Sequence, residues 1–149
     1  MFRKMKMQKI DVILASASPR RKELLKNIFN DFKIMPADVD ESTTFDVIVE
    51  KYPEKIAELK AKAVAGEFFN SLVIGCDTAV IVDDVMYGKP VDRDNAIDMI
   101  KNMSGKVHQV ITGCCLCYKG KIHSFSSVTE VEFYDLTQEE IFDYIEEKE

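Results

Sequence analysis

The chain has 149 residues, 46% hydrophobic and 31% charged, with no unbroken apolar stretch long enough to span a bilayer. That is the composition of one ordinary soluble domain, residues 1–149, able to bury a core without staples, and its four unevenly placed cysteines are too few for a disulfide framework. A formal net charge of −6 argues against non-specific nucleic-acid binding, so a small anionic ligand would have to be met by local cations.

The opening MFRKMKMQK is basic but has no apolar h-region, so it reads as neither a signal peptide nor a membrane span, and the cytoplasm is the expected location. Ile10 to Ala15 is a nearly continuous apolar run that suits a strand buried on both faces. It ends in Leu14 to Leu25, LASASPRRKELL, around which the chain is organised. Ser18 can cap a helix and Pro19 fits its first position. Arg20 and Arg21 follow at once, where each cation costs the helix about 0.3–1 kcal/mol unless an anion sits above the helix start. The stretch therefore reads as a polyphosphate cradle, or as a surface helix with two solvated arginines. The helix is expected to run to about Phe29 with Leu24, Leu25, Ile28 and Phe29 on one side, and Phe32 to Val39 to form a second strand. Asp40 and Glu41, followed by Ser-Thr-Thr, make a loop that could hold a metal or stand solvated.

Pro53 to Phe69 is helical in pattern. At about 100° per residue, Ile56, Leu59, Ala63 and Val64 form its apolar stripe, with Lys60 inside the stripe and Lys62 opposite. A lysine within a core stripe must snorkel or meet an anion, so Lys60 is the better ligand candidate. In Leu72 to Val82, LVIGCDTAVIV, a strand-like run is interrupted by a single carboxylate, Asp77. An unpartnered buried carboxylate is too costly, so Asp77 should face a cleft, a metal or a cation, or bond to backbone at a bulge. Gly75 fits a bulge or a close backbone approach. Cys76 has no nearby base, and the charge of Asp77 would raise its pKa.

Asp83-Asp84 turns the chain into Val85 to Tyr87, and Gly88-Lys89-Pro90 holds a lysine in a rigid loop able to present its ammonium to a phosphate. Asp92 caps a helix to about Met103, with Ala96, Ile97, Ile100 and Met103 inward and Gly105 closing it. Val107 to Tyr118 and Ile122 to Tyr134 read as strands of a hairpin around Lys119-Gly120, the second alternating Thr129, Val131 and Phe133 against Glu130 and Glu132. His108 and His123 read as ordinary strand residues. Cys114, Cys115 and Cys117 fail zinc spacings and read as core thiols, neighbours pointing to opposite faces. Thr137 with Glu140 forms a capping box, and Leu136 with Ile141 a hydrophobic staple, starting a last helix to Ile145.

Taken together, LASxSPRRxELL, the Asp40-Glu41 pair, KAKAVA from Lys60, IGCDT at Ile74 to Thr78, GKP at Gly88 to Pro90, SGKxHxVxTG at Ser104 to Gly113 and TEVxF at Thr129 to Phe133 resemble the Maf family of nucleoside triphosphate pyrophosphatases. The resemblance implies an α/β fold with a long mixed sheet and two lobes around a nucleotide cleft, related to the inosine triphosphate pyrophosphatases. It also implies a divalent cation, usually magnesium, and hydrolysis of a nucleoside triphosphate to the monophosphate and pyrophosphate. The branch acting on 7-methyl-GTP tends to carry tryptophan and glutamine where this chain has Arg20 and Thr78, so the resemblance is to the branch hydrolysing dTTP and UTP.

On that footing Arg20, Arg21, Lys60 and Lys89 would neutralise the triphosphate, Ser16 and Ser18 would hydrogen-bond it, and Thr78 would lie on the substrate. Asp77 would orient or deprotonate the attacking water, and Glu41 with Asp77 would hold magnesium. The other class of reading is a non-catalytic nucleotide-binding regulator of septum formation or cell division. The family's pattern continues beyond Glu149 with a Pro-x-Asp-Lys-Ala-Gly-x-Tyr-Gly-x-Gln-Gly segment, so a C-terminally truncated chain is expected. Its activity would be impaired, and an apolar patch including Ile141, Tyr144 or Ile145 would be exposed or covered by a second copy in a homodimer.

Overall fold

The computed structural model describes residues 10–148, so the basic opening segment lies outside the described residues. The fold is α/β. Six strands, β1 (Val12–Leu14), β2 (Lys33–Ile34), β3 (Leu72–Val82), β4 (Val85–Tyr87), β5 (Val107–Tyr118) and β6 (Lys121–Glu132), form a sheet ordered β2-β1-β3-β5-β6, with β4 on β3. The helices are α1 (Pro19–Leu25), α2 (Tyr52–Ala65), α3 (Arg93–Met103) and α4 (Gln138–Lys148), and a 3₁₀ turn at Val49–Lys51 leads into α2. The sheet is mixed: β1 runs parallel to β2 and β3, whereas β4 returns antiparallel to β3. Asp83 and Asp84, at φ of 50° and 63°, make that return in the left-handed conformation that two-residue hairpins favour. No helix among the described residues is long and apolar enough to cross a membrane.

Contacts divide the chain into two compact units, one up to Asp77 together with Thr112–Ser126, the other Thr78–Ile111 together with the segment from Ser127 on. In the first unit, β1 is buried on both faces, as its apolar run requires. Ile13 and Ala15 pack with Ala57, Ala61 and Val64 of α2, while Val12 and Leu14 pack with Leu25, Phe29 and Phe32. Gly75 and Gly113 bring α2 onto the sheet. A Cβ at 75 would collide with the Ala57 carbonyl and Ala61 amide, and one at 113 with the backbone of Pro53 and Glu54. Close backbone approach, rather than a bulge, is therefore what Gly75 supplies.

Several boundaries and faces depart from expectation. Helix α1 stops at Leu25, and residues to Phe29 continue in a tightened turn in which Asn27 and Ile28 donate to carbonyls three residues back. Leu24, inside the helix, and Ile28, beyond it, are both exposed rather than packed. Strand β2 is two residues long; Met35 still donates to Leu14, but Pro36 has no amide with which to go on. In α2 the buried stripe is Pro53, Ile56, Ala57, Ala61 and Val64; Leu59 is half-buried and Ala63 exposed. The helix ends at Ala65, before glycine, rather than at Phe69. Strand β6 ends at Glu132 and Thr129 is exposed.

In the second unit, Asp92 caps α3 by accepting the Asn95 amide at 2.7 Å, and Gly105 leaves the helix at φ 69°. Helix α4 opens with the expected reciprocal pair: the Glu140 amide donates to Thr137 Oγ1 at 3.1 Å, and the Thr137 amide donates to Glu140 Oε1 at 3.0 Å. Ile141 and Ile145 are 3% and 6% exposed, packed with Ile97, Leu136 and Phe142. The expected open patch is thus corrected for both isoleucines, because α3 turns its apolar face to them; each such burial contributes about 1.5–3 kcal/mol. Of the three residues named, only Tyr144 is exposed.

Candidate active site

The period-two alternation of β3 decides which side chains meet α2. Val73 and Gly75 face that helix, so Asp77 does too, and Lys60 stands one turn along α2 from Ala57. Lys60 Nζ lies 3.2 Å from Asp77 Oδ1 and 3.6 Å from Glu41 Oε1, and it also donates to the Cys76 carbonyl at 3.3 Å. The Lys60 and Asp77 side chains are 14% and 13% exposed, whereas Glu41 is over half exposed. Lys62 is exposed, so the two lysines divide as their helical phase requires.

Burial raises the Asp77 carboxyl above the ordinary aspartate range; Lys60 opposes this through charge and hydrogen bond, and the Glu41 charge adds to the rise. The preceding Asp40 plays another part. Its carboxylate accepts the Ser42 amide and hydroxyl, which lowers its pKa and closes a local turn.

At the start of α1 the two arginines separate. Arg20 is exposed, while Arg21 is half-buried and folds inward, its Nη1 donating to Ser16 Oγ at 3.0 Å and to the Cys76 carbonyl at 3.2 Å. Ser18 caps α1 by accepting the Arg21 amide at 3.3 Å, and its own amide donates to Ser16 Oγ. The buried Ser16 hydroxyl, already accepting twice, keeps its proton for a further acceptor. The first unit therefore gathers Ser16, Ser18, Arg21, Lys60, Asp77 and Glu41. Thr78 and Lys89 belong to the second unit, both exposed, Lys89 between two residues of a cleft of about 500 Å³ lined by Tyr87, Gly88, Pro90, Arg93 and Met99.

Sequence reasoning missed the Cys76 carbonyl as the common acceptor of Arg21 and Lys60; a backbone acceptor leaves no residue-type signal. Asp77 does push the Cys76 thiol up, as expected, but it is outweighed. The hydrogen bond between Cys76 and Cys114, whose Sγ atoms are 3.8 Å apart, and the charges of Arg21 and Lys60 outweigh burial and Asp77 and hold Cys76 down at about 7. The same pairing, with burial, pushes Cys114 up. Parity could have found this partner, since Cys114 shares the face of Leu116 and Ile74. Cys115 and Cys117 are buried core thiols as expected.

A cation pair folded toward a half-buried carboxylate in the middle of β3 is equipped to hold phosphates and polarise a water. The family model described as Maf-like protein matches residues 11–149. The chain belongs to the Maf family. Among Maf relatives, the dTTP/UTP pyrophosphatase of Latilactobacillus sakei is 39% identical over 137 residues, which are 92% of this chain and 76% of that protein. The dTTP/UTP pyrophosphatase of Desulforamulus reducens is 43% identical over 137 residues, 91% of this chain and 72% of that one. Among solved structures, the Staphylococcus aureus Ham1 protein aligns with a TM-score of 0.57 at 18% identity, covering 82% of this chain and 71% of that one. A HAM1 protein from Coxiella burnetii gives 0.56 at 15% identity, covering 83% and 72%. These likenesses place the Maf chain in the same α/β fold.

Proposed function

We propose that this chain hydrolyses nucleoside triphosphates, dTTP and UTP, to the nucleoside monophosphate and pyrophosphate, and that it does so in the cytoplasm. The observation that carries the reading is the half-buried Lys60–Asp77 pair beside Arg21, and the names of the relatives favour turnover over a binding-only role. Arg21 and Lys60, with Arg20 and Lys89, neutralise the triphosphate, and Ser16 and Ser18 hydrogen-bond its oxygens. Asp77 takes a proton from a water that attacks the α-phosphorus; the bond to the bridging oxygen breaks and pyrophosphate leaves. A carboxyl raised above its ordinary range is a stronger base when ionised, which suits this role. Thr78, next to the base, lies on the substrate.

Magnesium fits these residues. Glu41 and Asp77 already face one cation, the Lys60 ammonium, and magnesium is commonly held by one or two carboxylates plus substrate phosphates. Among the described residues no cluster of three or more candidate ligands makes a protein-only site, so Glu41 and Asp77 would be its protein ligands. When bound, it supplies charge neutralisation at the phosphate oxygens.

Pyrophosphate release measured over a nucleotide panel with magnesium tests the proposal. UTP and dTTP should be cleaved faster than 7-methyl-GTP. A melting temperature that rises with UTP while no pyrophosphate appears would leave a binding protein instead, and preference for 7-methyl-GTP would overturn the substrate assignment.

A further inference from the structure

We propose that Cys76 and Cys114 form a reversible redox pair, which a hydroperoxide joins as a disulfide beside the carbonyl that holds Arg21 and Lys60. The two Sγ atoms are 3.8 Å apart on the neighbouring strands β3 and β5. Strands in a sheet run about 4.7–4.9 Å apart, inside the roughly 4.4–6.8 Å Cα separation that disulfides span, so the bond asks for small movements. The pairing is selective: both thiols are half-buried and share one face of the sheet, whereas Cys115 and Cys117 are buried in the cluster on the other face.

The chemistry balances with a hydroperoxide as the only co-reactant. One thiol, as its thiolate, attacks a peroxide oxygen; the O–O bond breaks, the sulfur becomes a sulfenic acid, and the other oxygen leaves protonated as water or an alcohol. The second thiolate attacks the sulfenic sulfur, forming the S–S bond and expelling hydroxide, which leaves as water. Two thiols lose two electrons and two protons, and the peroxide gains them.

The consequence for turnover rests on the proposed function. Bond formation draws the sulfurs from 3.8 Å to about 2.05 Å, and Cys76 is the residue whose carbonyl accepts from Arg21 at 3.2 Å and Lys60 at 3.3 Å. Asp77 is the next residue along the strand. A misplacement of about 1 Å at reacting groups can cost about 100-fold, so UTP hydrolysis should fall roughly 10- to 100-fold on oxidation and return with dithiothreitol.

The test treats the full chain with stoichiometric hydrogen peroxide, alkylates the remaining thiols, and reads intact mass, linked peptides and pyrophosphate release. Free thiols should drop from four to two, with one linked peptide pair joining residues 76 and 114. Cys114→Ser should keep basal UTP turnover, yield no linked peptide and lose the dithiothreitol-reversible inhibition, while Cys117→Ser should behave as the parent. Four surviving thiols, or linkage through Cys115 or Cys117, would overturn the pair. A Cys76–Cys114 linkage with turnover undiminished would overturn its control of the site. The mass readout needs no activity, so a chain that forms the bond but cleaves no nucleotide refutes only the proposed function.

Discussion

In the first unit, the ionised groups drawn inward meet partners: Asp77 faces Lys60 at 3.2 Å, and Arg21 of α1 donates to Ser16 and a carbonyl. In the second unit, the buried polar side chain is His108, 4% exposed, edge-on to Phe133 with ring centroids 4.9 Å apart, and its Nδ1 has no hydrogen-bond partner among the described residues. Burial opposes charge in both. It raises Asp77 and lowers His108, but only Asp77 keeps counter-charges beside it. Charge retained at a cost inside a fold marks a place where chemistry needs it, whereas a polar group packed as a neutral ring is core filling.

The largest expected effect comes from removing the charge of Asp77 while keeping its shape. Asp77→Asn should lower turnover by about 10²–10⁴-fold while nucleotide affinity changes little. Stability should move the other way. The folded pKa of Asp77 is raised, so its stabilising contribution is full below the unfolded value near 3.8 and is lost as pH rises through the folded one. The variant should therefore melt at or above the parent's temperature at pH 7, with the advantage vanishing near pH 3.5 in parallel melts. Equal loss of turnover and affinity would remove Asp77 from the catalytic role.

A smaller effect should separate the two lysines of α2. Lys60→Ala should weaken UTP binding by about 10- to 100-fold, the worth of one or two charge-assisted contacts, and the penalty should shrink in high salt. It should also move the acid limb of the pH–rate profile upward, because Asp77 loses the charge that opposes its burial. Lys62→Ala should do neither. If both variants were equally impaired, the helical face would not be what selects the ligand.

That Lys60 turns inward and Lys62 outward was legible in the sequence even though the stripe itself was misread. Lys60 sits between Ile56 and Ala57 in phase, and the small residues Ala57 and Ala61 gave a weak hydrophobic signal while permitting the close approach to Gly75. Strands β3 and β5, whose apolar runs are bounded by turn residues, match their expected limits. Helix α1 and strand β2 do not, because a proline and a tightened turn ended them where periodicity continued. The difference between Arg20 and Arg21 was invisible, since adjacent residues of one type carry no label for which way each folds.

The smallest expected effect sharpens the comparison from the second unit. A histidine held neutral by burial binds its proton more weakly folded than unfolded, so the stability it contributes is present above about pH 6.5 and is lost as pH falls through that value toward its lowered folded pKa. His108→Leu abolishes this titration and removes an unpartnered Nδ1, whose burial costs about 1–3 kcal/mol, against the loss of its edge contact with Phe133, about 0.5–1.5 kcal/mol. At pH 7 the two nearly offset, leaving a net change of about 1 kcal/mol or less in favour of leucine. Between pH 6.5 and 5 the gap should widen, because the parent loses stability there while the variant does not. Denaturant melts across that range measure both, and a parent and variant that lose stability in parallel would show that His108 is not the group buried without its proton.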